Sequence, residues 1–430
     1  MNDKLPTTIP REFIMNSESA AAVGANISFT DVEVLKCPVA AYRRLHEEAP
    51  VHLDPVTGMY YVTRFADIRK IALDPRTFSN DTQLLSARQT PATERITAMY
   101  AEIDVTEVNT LVTNDPPSHR SYRALVDMAF RDQRITAIEP RIQEIANDLI
   151  DAFPGDAFDF VKAFAIPLPI RMIAEQLGVP PTMIDTFKRW SDATIESTDP
   201  RLAPDRQIEL AAQKREMFEF FLKHRSARQN APDDTMISDI ANAQYDGRPL
   251  NPSEFCGIMI QLLVGGNETT TSALASGAYY LATRPDLQDE LRADPDKVRA
   301  FVEEVLRLEA PLAGLYRRAT KAVAIGGVDI PEGAILHLRW AAGNRDEERF
   351  PNAAEIDLER ANAAQHLAFG AGIHYCLGNQ LARAELYHGF RALLSRSRAI
   401  TLSDDPQPVE RLLHFFAQGP IRLQVRFDRA

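Results

Sequence analysis

The apolar residues of this chain recur mostly at intervals of three and four, which is the spacing of helices that bury one face. Several of these segments carry a proline in their first turn, where its missing N–H leaves no helical hydrogen bond unmade. On this basis we predict helices over residues 40–48, 65–73, 140–153, 169–178, 180–197, 204–227, 252–284, 298–308 and 377–394. Helices therefore account for most of the predicted structure.

Shorter runs of β-branched and aromatic residues, bounded by turn-forming residues, predict a few strands. The predicted strand pairs are 51–53 with 59–63, 322–328 with 334–338, and 412–416 with 421–427. Residues 75–113 show little sustained periodicity, and so long a loop in a compact domain is usually functional or partly ordered into short helices.

Composition limits the possible classes of protein. The 430 residues are 45% hydrophobic and 25% charged, as in a globular protein that is dissolved in water. The net charge of −12 argues against a nucleic-acid partner. We find neither a signal peptide nor an apolar run of the roughly 18 residues that a membrane span needs, so we expect no membrane anchor and a cytoplasmic location. The cysteines Cys37, Cys256 and Cys376 are odd in number and far apart, which argues against a disulfide framework.

The most informative stretch of the sequence runs from residue 367 to residue 385 and contains the pattern Phe-Gly-x-Gly-x-His-x-Cys-x-Gly. Gly370 and Gly372 predict a tight loop just before Cys376, and a helix is predicted to follow. At the N-terminus of that helix, free amides and the helix dipole favour a thiolate, so we expect the pKa of Cys376 to be lowered. The alternative for a single cysteine is a small buried side chain that follows a turn.

This pattern resembles the haem-ligand loop of the cytochrome P450 (haem-thiolate) superfamily, and further motifs extend the resemblance over nearly the whole chain. It implies a mainly α fold with small β-sheets (α+β), in which haem b lies between a long central helix and the helix after the cysteine. Cys376 would be the axial iron ligand, with Phe369 and Gly370 among the haem contacts, and a thiolate ligand favours O–O cleavage. We expect a flexible arm over residues 1–26 and a single catalytic domain over residues 27–430.

A second motif lies at residues 115–123, where a helix would place His119 and Arg123 on one face, four residues apart. Two donors on one face suit a carboxylate or a phosphate, although an ordinary solvated basic face is the alternative. The resemblance implies that His119 and Arg123 bind the haem propionates. It adds Arg317, or Arg318 if the register slips by one residue, and His374.

The predicted central helix has a weak middle, Gly265-Gly266-Asn267-Glu268-Thr269-Thr270-Thr271. Two adjacent glycines cost roughly 1 kcal/mol each relative to alanine, which suggests that a group must approach this backbone. The Thr269 hydroxyl is expected to bond back to the carbonyl of Gly265. The resemblance implies that Gly266 contacts haem and that Glu268 and Thr269 form a catalytic acid–alcohol pair that delivers protons. The alternative is a helix kink with a satisfied buried glutamate.

Glu304 and Arg307 share one helix face, and by itself such a pair is commonplace. The resemblance makes it a buried structural ion pair behind the cysteine loop. The usual basic third partner is absent at the matching position, which we take to be Glu355, so Arg349 or Arg360 substitutes or the pair has no third member.

The resemblance also assigns the substrate pocket and its covering. Residues 75–113 would cap the pocket, with Ile96 and Ile103 as further candidate contacts, and the helix pair 180–197 and 204–227, joined by the turn 198–201, would form a mobile lid. The candidate pocket residues are Met99, Tyr100, Leu262, Gly265, Leu315, Phe415 and Phe416.

The function implied is a monooxygenase that uses O2 and two external electrons to hydroxylate or epoxidise a small lipophilic compound such as a terpenoid, steroid, fatty acid or aromatic. Electrons would come from NAD(P)H through a ferredoxin reductase and a ferredoxin, for which Arg120, Arg383 and Arg391 are candidate docking residues on a monomeric enzyme. The alternatives are a haem-thiolate peroxygenase or isomerase, and a non-catalytic haem-binding sensor.

Overall fold

The computed structural model describes residues 27–81, 92–198 and 202–430. The arm predicted over residues 1–26 lies outside the described residues, as do residues 82–91 of the predicted pocket cap and residues 199–201 of the predicted lid turn. The division into an arm and one catalytic domain therefore stays a prediction.

Helices dominate the described residues, as the periodicity predicts. In chain order they are α1 (Val32–Lys36), α2 (Pro38–Glu48), α3 (Phe65–Ala72), α4 (Thr93–Ala101), α5 (Ser118–Asp127), α6 (Asp132–Asp151), α7 (Pro167–Gln176), α8 (Ile184–Glu196), α9 (Pro204–Asn230), α10 (Met236–Asn242), α11 (Pro252–Thr283), α12 (Pro285–Ala293), α13 (Val298–Leu308), α14 (Trp340–Gly343) and α15 (Asn379–Ser395).

The strands form small sheets at the side of the helical body. They are β1 (Val51–Leu53), β2 (Tyr60–Val62), β3 (Phe78–Ser79), β4 (Ala157–Asp159), β5 (Gln244–Tyr245), β6 (Arg248–Pro249), β7 (Leu315–Ala319), β8 (Val323–Ile325), β9 (Val328–Ile330), β10 (Ile335–Leu338), β11 (Ser397–Leu402), β12 (Val409–Arg411) and β13 (Pro420–Arg429). One sheet has the order β1-β2-β10-β7-β3; in a second, β13 lies between β11 and β12 and also pairs with β4.

The long helix α11 forms the centre of the molecule. It starts with a capping box, in which the Asn251 side chain accepts from the Glu254 amide and the Glu254 side chain accepts from the Asn251 amide. Buried residues occur on all of its sides, which is typical of a helix enclosed by a core. Helices α7, α8 and α15 and strands β11 and β13 all pack against α11. The C-terminal half of α11 and the cysteine loop thus belong to one packed core.

Helix α6 starts eight residues earlier than predicted, so the prediction that Pro140 occupies a first turn was wrong. Pro140 lies inside the helix and removes one backbone hydrogen bond. The helix continues because Ile135, Ile142 and Ile145 bury one face, which packs on α15. Tertiary packing here outweighs the local cost of the proline.

Two strand predictions also need correction. The segment 322–328 is split into β8 and β9 because Gly326 and Gly327 both take positive φ angles, +55° and +81°, and turn the chain into a hairpin. Residues 412–416 are not a strand; the partner of β13 is β12, three residues earlier. The ring nitrogen Nδ1 of His414 accepts from the amides of Phe416 and Ala417, which a β-ladder would otherwise use.

Within the described residues, no helix combines the length and apolar character that crossing a bilayer requires.

Candidate active site

The loop before α15 holds Cys376 against the body of the molecule. Gly370 and Gly372 have φ angles of +70° and +74°, and a Cβ at Gly372 would lie 2.4 Å from the carbonyl oxygen of Ala72. Only glycine fits there. The Cys376 amide donates to the Phe369 carbonyl at 2.9 Å, and the Asn379 side chain donates to the Cys376 carbonyl at 2.8 Å. The predicted tight loop is confirmed, and its helix begins at Asn379 with Gly378 as its N-cap.

The predicted lowering of the Cys376 pKa was wrong for the protein chain by itself. Burial raises the pKa of the Cys376 thiol, and the amide of Gly378 together with the positive charges of Arg123 and Arg383 only partly offsets this. The reason is that losing water destabilises the thiolate more than one amide and two distant cations stabilise it. A bound metal ion would remove the thiol proton outright.

Two basic side chains of α5 meet a histidine of the cysteine loop. The rings of His119 on α5 and His374 lie 4.2 Å apart, centroid to centroid. Arg123 donates to the carbonyl of Tyr375 at 2.8 Å and pairs with Asp127 at 2.7 Å. The structure therefore brings together three of the predicted propionate ligands next to Cys376.

The fourth predicted ligand is Arg317, with Arg318 as the alternative, and the two differ in burial. Arg317 is 3% exposed and donates from Nη1 to the carbonyl of Tyr316, whereas Arg318 is half-buried and donates to the carbonyl of Asp81. Neighbouring residues of a strand point to opposite faces, so only one of the two can face the core. The buried residue is Arg317.

Burial and mutual repulsion disfavour the charged forms within this basic group. Burial, reinforced by His119, Arg317 and Arg123, lowers the pKa of His374 to about 2. Burial also lowers the pKa of Arg317 to about 10, although Asp115 opposes this. Among the described residues, Nε2 of His374 has no hydrogen-bond partner. Buried donors in such an arrangement favour an anionic ligand.

The centre of α11 has the geometry that the sequence predicts. The Thr269 hydroxyl donates to the carbonyl of Gly265 at 2.8 Å. Glu268 accepts from the side chain of Asn267 at 2.8 Å and lies 3.4 Å from Nζ of Lys188 on α8. Burial raises the pKa of the Glu268 carboxyl, and Lys188 opposes the change. Lys188 is a partner that sequence reasoning missed, because nothing in its local pattern indicates a contact eighty residues away.

Sequence reasoning also missed that Glu385 is a buried carboxyl. It is 1% exposed, and neither carboxyl oxygen has a hydrogen-bond partner in the described part of the chain. Burial raises its pKa to about 8; the Thr270 hydroxyl of α11 is near enough to oppose the shift but does not have the geometry of a hydrogen bond. A usable signal existed: Glu385 lies four residues from Leu381 and from Gly389, on the face that α15 buries.

We predict that Glu385→Gln reduces the pH dependence of stability. A carboxyl whose folded-state pKa is raised contributes stability that is complete below its unfolded pKa, about 4.3, and is lost as pH rises through its folded pKa, about 8. Each unit of pKa difference is worth about 1.4 kcal/mol. Denaturant unfolding from pH 4 to pH 9 should show wild type losing stability relative to the variant.

Glu254 serves as a control for this prediction, because its pKa is shifted in the opposite direction. Its bonds from Arg248 hold the pKa of the Glu254 carboxyl at about 2, against the effect of burial. Glu254→Gln should therefore remove a contribution that is present above about pH 4.3 and lost as pH falls toward 2. An identical pH profile for wild type and Glu385→Gln would contradict the assignment of a neutral buried carboxyl.

The predicted ion pair of α13 is present and has a third member. Arg307 Nε and Nη2 donate to Glu304 at 2.6 and 2.9 Å, and both side chains are fully buried. Nε of Arg360 lies 3.1 Å from Glu304 Oε1. Arg360 is therefore the substitute, while Glu355, the position we matched to the third partner, contributes its backbone carbonyl, which accepts from Arg307 and Arg360. Arg349 instead stacks on Phe65 at 5.1 Å.

The candidate pocket residues fall into two groups. Met99, Tyr100 and Leu262 belong to one hydrophobic cluster, where the Tyr100 ring packs edge-on to Phe218 of α9 at 5.5 Å. Leu315, Phe415 and Phe416 lie at the sheet side, and Gly265 is exposed on α11.

A side chain that sequence reasoning missed is Gln261, which accepts from the amide of Val112 at 2.8 Å and donates to Thr110 at 2.5 Å. Gln261 thus ties the loop before α5 to α11.

Ion pairs join the predicted lid to the predicted cap. Arg215 on α9 contacts Glu102 at 2.5 Å, and Lys214 contacts Glu107 at 3.4 Å. Helices α8 and α9 also pack against each other. These exposed pairs hold the two segments together with little energy each.

Comparison with known proteins identifies the family. The sequence matches the family described as Cytochrome P450 over residues 205–427. It is 32% identical to cytochrome P450 107B1 of Saccharopolyspora erythraea, covering 90% of this chain and 94% of the relative. Erythromycin C-12 hydroxylase of the same organism is 34% identical, with coverages of 86% and 89%. Cytochrome P450 CREJ in complex with (4-ethylphenyl) dihydrogen phosphate superposes with a TM-score of 0.84 at 31% identity, with coverages of 91% and 97%. The chain belongs to the cytochrome P450 family.

Family membership defines the class of enzyme and its cofactor. The fold is that of the family, mainly helical with small sheets. The chain is a monooxygenase that carries haem iron and uses O2.

Proposed function

We propose that this enzyme inserts one oxygen atom of O2 into a C–H bond, or across a double bond, of a lipophilic organic compound. The observation that supports the site most directly is the group of four buried or half-buried basic residues beside Cys376. Its members come from distant parts of the chain, and it has one unsatisfied ring nitrogen. This group suits the two carboxylates of a haem.

The residues of the site fit the cofactor that the family implies. Cys376 would hold the iron, His119, Arg123, Arg317 and His374 would hold the propionates, and Phe369, Gly370 and Gly266 would contact the macrocycle. When bound, haem iron with a thiolate ligand supplies the activation of O2. Gly372 at its positive φ keeps the loop in the shape that presents Cys376.

The protein supplies proton delivery from the middle of α11. The Thr269 hydroxyl is fixed by its bond to the carbonyl of Gly265, and the carboxyl of the preceding residue, Glu268, lies 3.4 Å from Nζ of Lys188. A carboxyl whose pKa is raised by burial holds its proton more firmly than an exposed one, as a proton donor requires. We infer that Glu268 and Thr269 serve this purpose.

We predict that Thr269→Ala leaves haem binding intact but diverts electrons from product to peroxide. The reason is that the variant lacks the Thr269 hydroxyl, which we propose delivers protons together with Glu268. The measurement is the ratio of product and of peroxide formed to NAD(P)H consumed. Thr283→Ala is the matched control, since Thr283 makes the same backward bond to Tyr279 at 2.8 Å on the same helix. Full coupling in Thr269→Ala would remove this residue from the proposed mechanism.

The substrate class that we propose is small and lipophilic: a terpenoid, steroid, fatty acid or aromatic compound. The apolar character of Met99, Leu262, Leu315 and Phe416 supports this. One relative is named for hydroxylating erythromycin, and one structural neighbour holds an aryl phosphate, so substrates differ among similar chains.

We further propose that a ferredoxin, reduced by an NAD(P)H-dependent reductase, supplies the electrons to a monomeric enzyme in the cytoplasm. Arg120 and Arg391 remain candidate docking residues. Arg383 does not, because its guanidinium nitrogens are already bonded to Glu303 and Asn379 and are not free to contact a partner protein. The peroxygenase and isomerase alternatives are less favoured, since the sequence carries both Glu268 and Thr269 at the centre of α11. We also prefer the monooxygenase to the sensor.

The proposal is tested by two measurements on the purified holoenzyme. The reduced protein with carbon monoxide should show the strongly red-shifted Soret band of thiolate ligation. Turnover under labelled O2 with a surrogate ferredoxin pair should then place one labelled atom in the product. A short-wavelength Soret band would reject Cys376 as the ligand, and product without label would reject the monooxygenase reaction.

A further inference from the structure

A chain of three side chains leads from α13 to the backbone of Cys376. Arg383 on α15 donates from Nε and Nη2 to the two carboxylate oxygens of Glu303, at 2.6 and 3.1 Å. Its third nitrogen, Nη1, donates to Oδ1 of Asn379 at 2.8 Å. Asn379 in turn donates from Nδ2 to the carbonyl of Cys376 at 2.8 Å. Each member of the chain is therefore held by the next.

Arg383 also contacts the aromatic ring that precedes the cysteine. Its guanidinium carbon lies 4.5 Å from the ring centroid of Phe369, within the range of a cation–π interaction. Phe369 is 9% exposed, packs in the same core cluster as Cys376, and accepts the Cys376 amide through its carbonyl. Arg383 thus restrains Cys376 from two directions, through Asn379 and through Phe369.

The acidic end of the chain is itself fixed. Nδ1 of the buried His366 accepts from the amide of Ala368, so Nε2 carries the proton, and Nε2 lies 3.2 Å from Oε2 of Glu303. Burial acts to raise the pKa of Glu303, but the nearby His366 ring and the bonds from Arg383 hold it at about 2. Glu303 is an anion over the whole working pH range, and it keeps the Arg383 fork in place.

We propose that Arg383 is a positioning residue for Cys376: Glu303 orients it, and it fixes the backbone and the neighbouring ring of the cysteine while its positive charge favours the anionic sulfur. This inference rests on the proposed role of Cys376 as the iron ligand. Two consequences can be separated. The positive charge of Arg383 would favour the ferrous over the ferric state, because reduction adds an electron. Its hydrogen bonds would slow the loss of thiolate ligation.

The experiment compares holoenzyme variants by two readouts that need neither ferredoxin nor substrate. These are the reduction potential from a mediated titration and the rate at which the reduced carbon-monoxide complex loses its red-shifted Soret band. Arg383→Gln should shift the ferric–ferrous equilibrium about tenfold toward ferric, which is about 59 mV for a one-electron couple, and should speed the loss of the band several-fold. Arg383→Lys should keep the potential but not the durability, because lysine lacks the planar fork.

The matched control is Arg391→Gln. Arg391 lies on the same helix and also contacts an aromatic ring, that of Tyr387 at 5.6 Å, but it is bonded to the Tyr387 hydroxyl and not to the cysteine loop. We expect wild-type values for both readouts. Wild-type values in Arg383→Gln would overturn the inference.

Two further outcomes are decisive. If Arg383→Gln does not fold, Asn379→Ala is tested instead. It removes the link between Arg383 and the Cys376 carbonyl but leaves the Arg383–Glu303 pair, so it should speed loss of the red-shifted band without changing the reduction potential. An unchanged rate there overturns the inference. If wild type itself shows no red-shifted band, the assignment of Cys376 fails, and the role of Arg383 fails with it; a normal wild-type band with unaltered variants refutes the role of Arg383 alone.

Discussion

Cys376→Ala is expected to abolish the red-shifted Soret band of the reduced carbon-monoxide complex and to lower monooxygenase turnover by more than about 100-fold. That figure is the upper range for losing a residue that merely supports a metal ligand, so loss of the ligand should exceed it. The physical reason is that alanine offers no atom to the iron, whereas the loop around it keeps its shape through the glycines and the Phe369 carbonyl. The measurement is the absorption spectrum together with product formation.

Cys256→Ala is the control for this variant. Cys256 is fully buried on α11, and burial raises its pKa to about 12, so it is a neutral thiol that only fills space. We expect its variant to keep the band and the turnover of wild type. A normal red-shifted band in Cys376→Ala would refute the site assignment as a whole.

The parts of the site that sequence reasoning predicted correctly are those with a local cause. The backward bond of Thr269 to Gly265 follows from a threonine four residues after a carbonyl in a helix, and the structure has it at 2.8 Å. The tight loop at Gly370 and Gly372 follows from residues that alone tolerate positive φ. The contact between His119 and His374 joins residues far apart in sequence, so no local pattern predicts it; the family resemblance did.

The parts that were missed or wrong depend on distant neighbours or on burial. For the third partner of the Glu304–Arg307 pair, the sequence left Arg349 and Arg360 open, and the folded structure selects Arg360. The pKa of Cys376 is raised because desolvation, invisible in a sequence, outweighs the helix N-terminus. Glu385 is similar: only the packed structure reveals that its carboxyl lacks a partner among the described residues.

Arg307→Met is expected to destabilise the enzyme by about 3–5 kcal/mol, because it leaves Glu304 as a buried charge without its main partner. Arg307 also donates to the carbonyls of Asn344 and Ala353, at 3.0 and 2.7 Å, so the variant leaves these buried acceptors unpaired. Since a domain has only about 5–15 kcal/mol of stability in total, a large fraction is at risk. Chemical denaturation of the holoenzyme measures the loss.

The loss should also reach the active site, because the segment that Arg307 holds leads into the cysteine loop: the side chain of Asn344 accepts from the amide of Leu367 at 2.6 Å. Haem should therefore dissociate from Arg307→Met at lower denaturant than from wild type. Arg349→Met is the control. Arg349 lies in the same segment but stacks on Phe65 and Phe350 and bonds to an exposed glutamine, interactions worth about 1 kcal/mol or less each. Adding Glu304→Gln to Arg307→Met should recover part of the stability, because it removes the unpaired charge. Equal losses in the Arg307 and Arg349 variants would mean that the buried network has no special role in holding the loop.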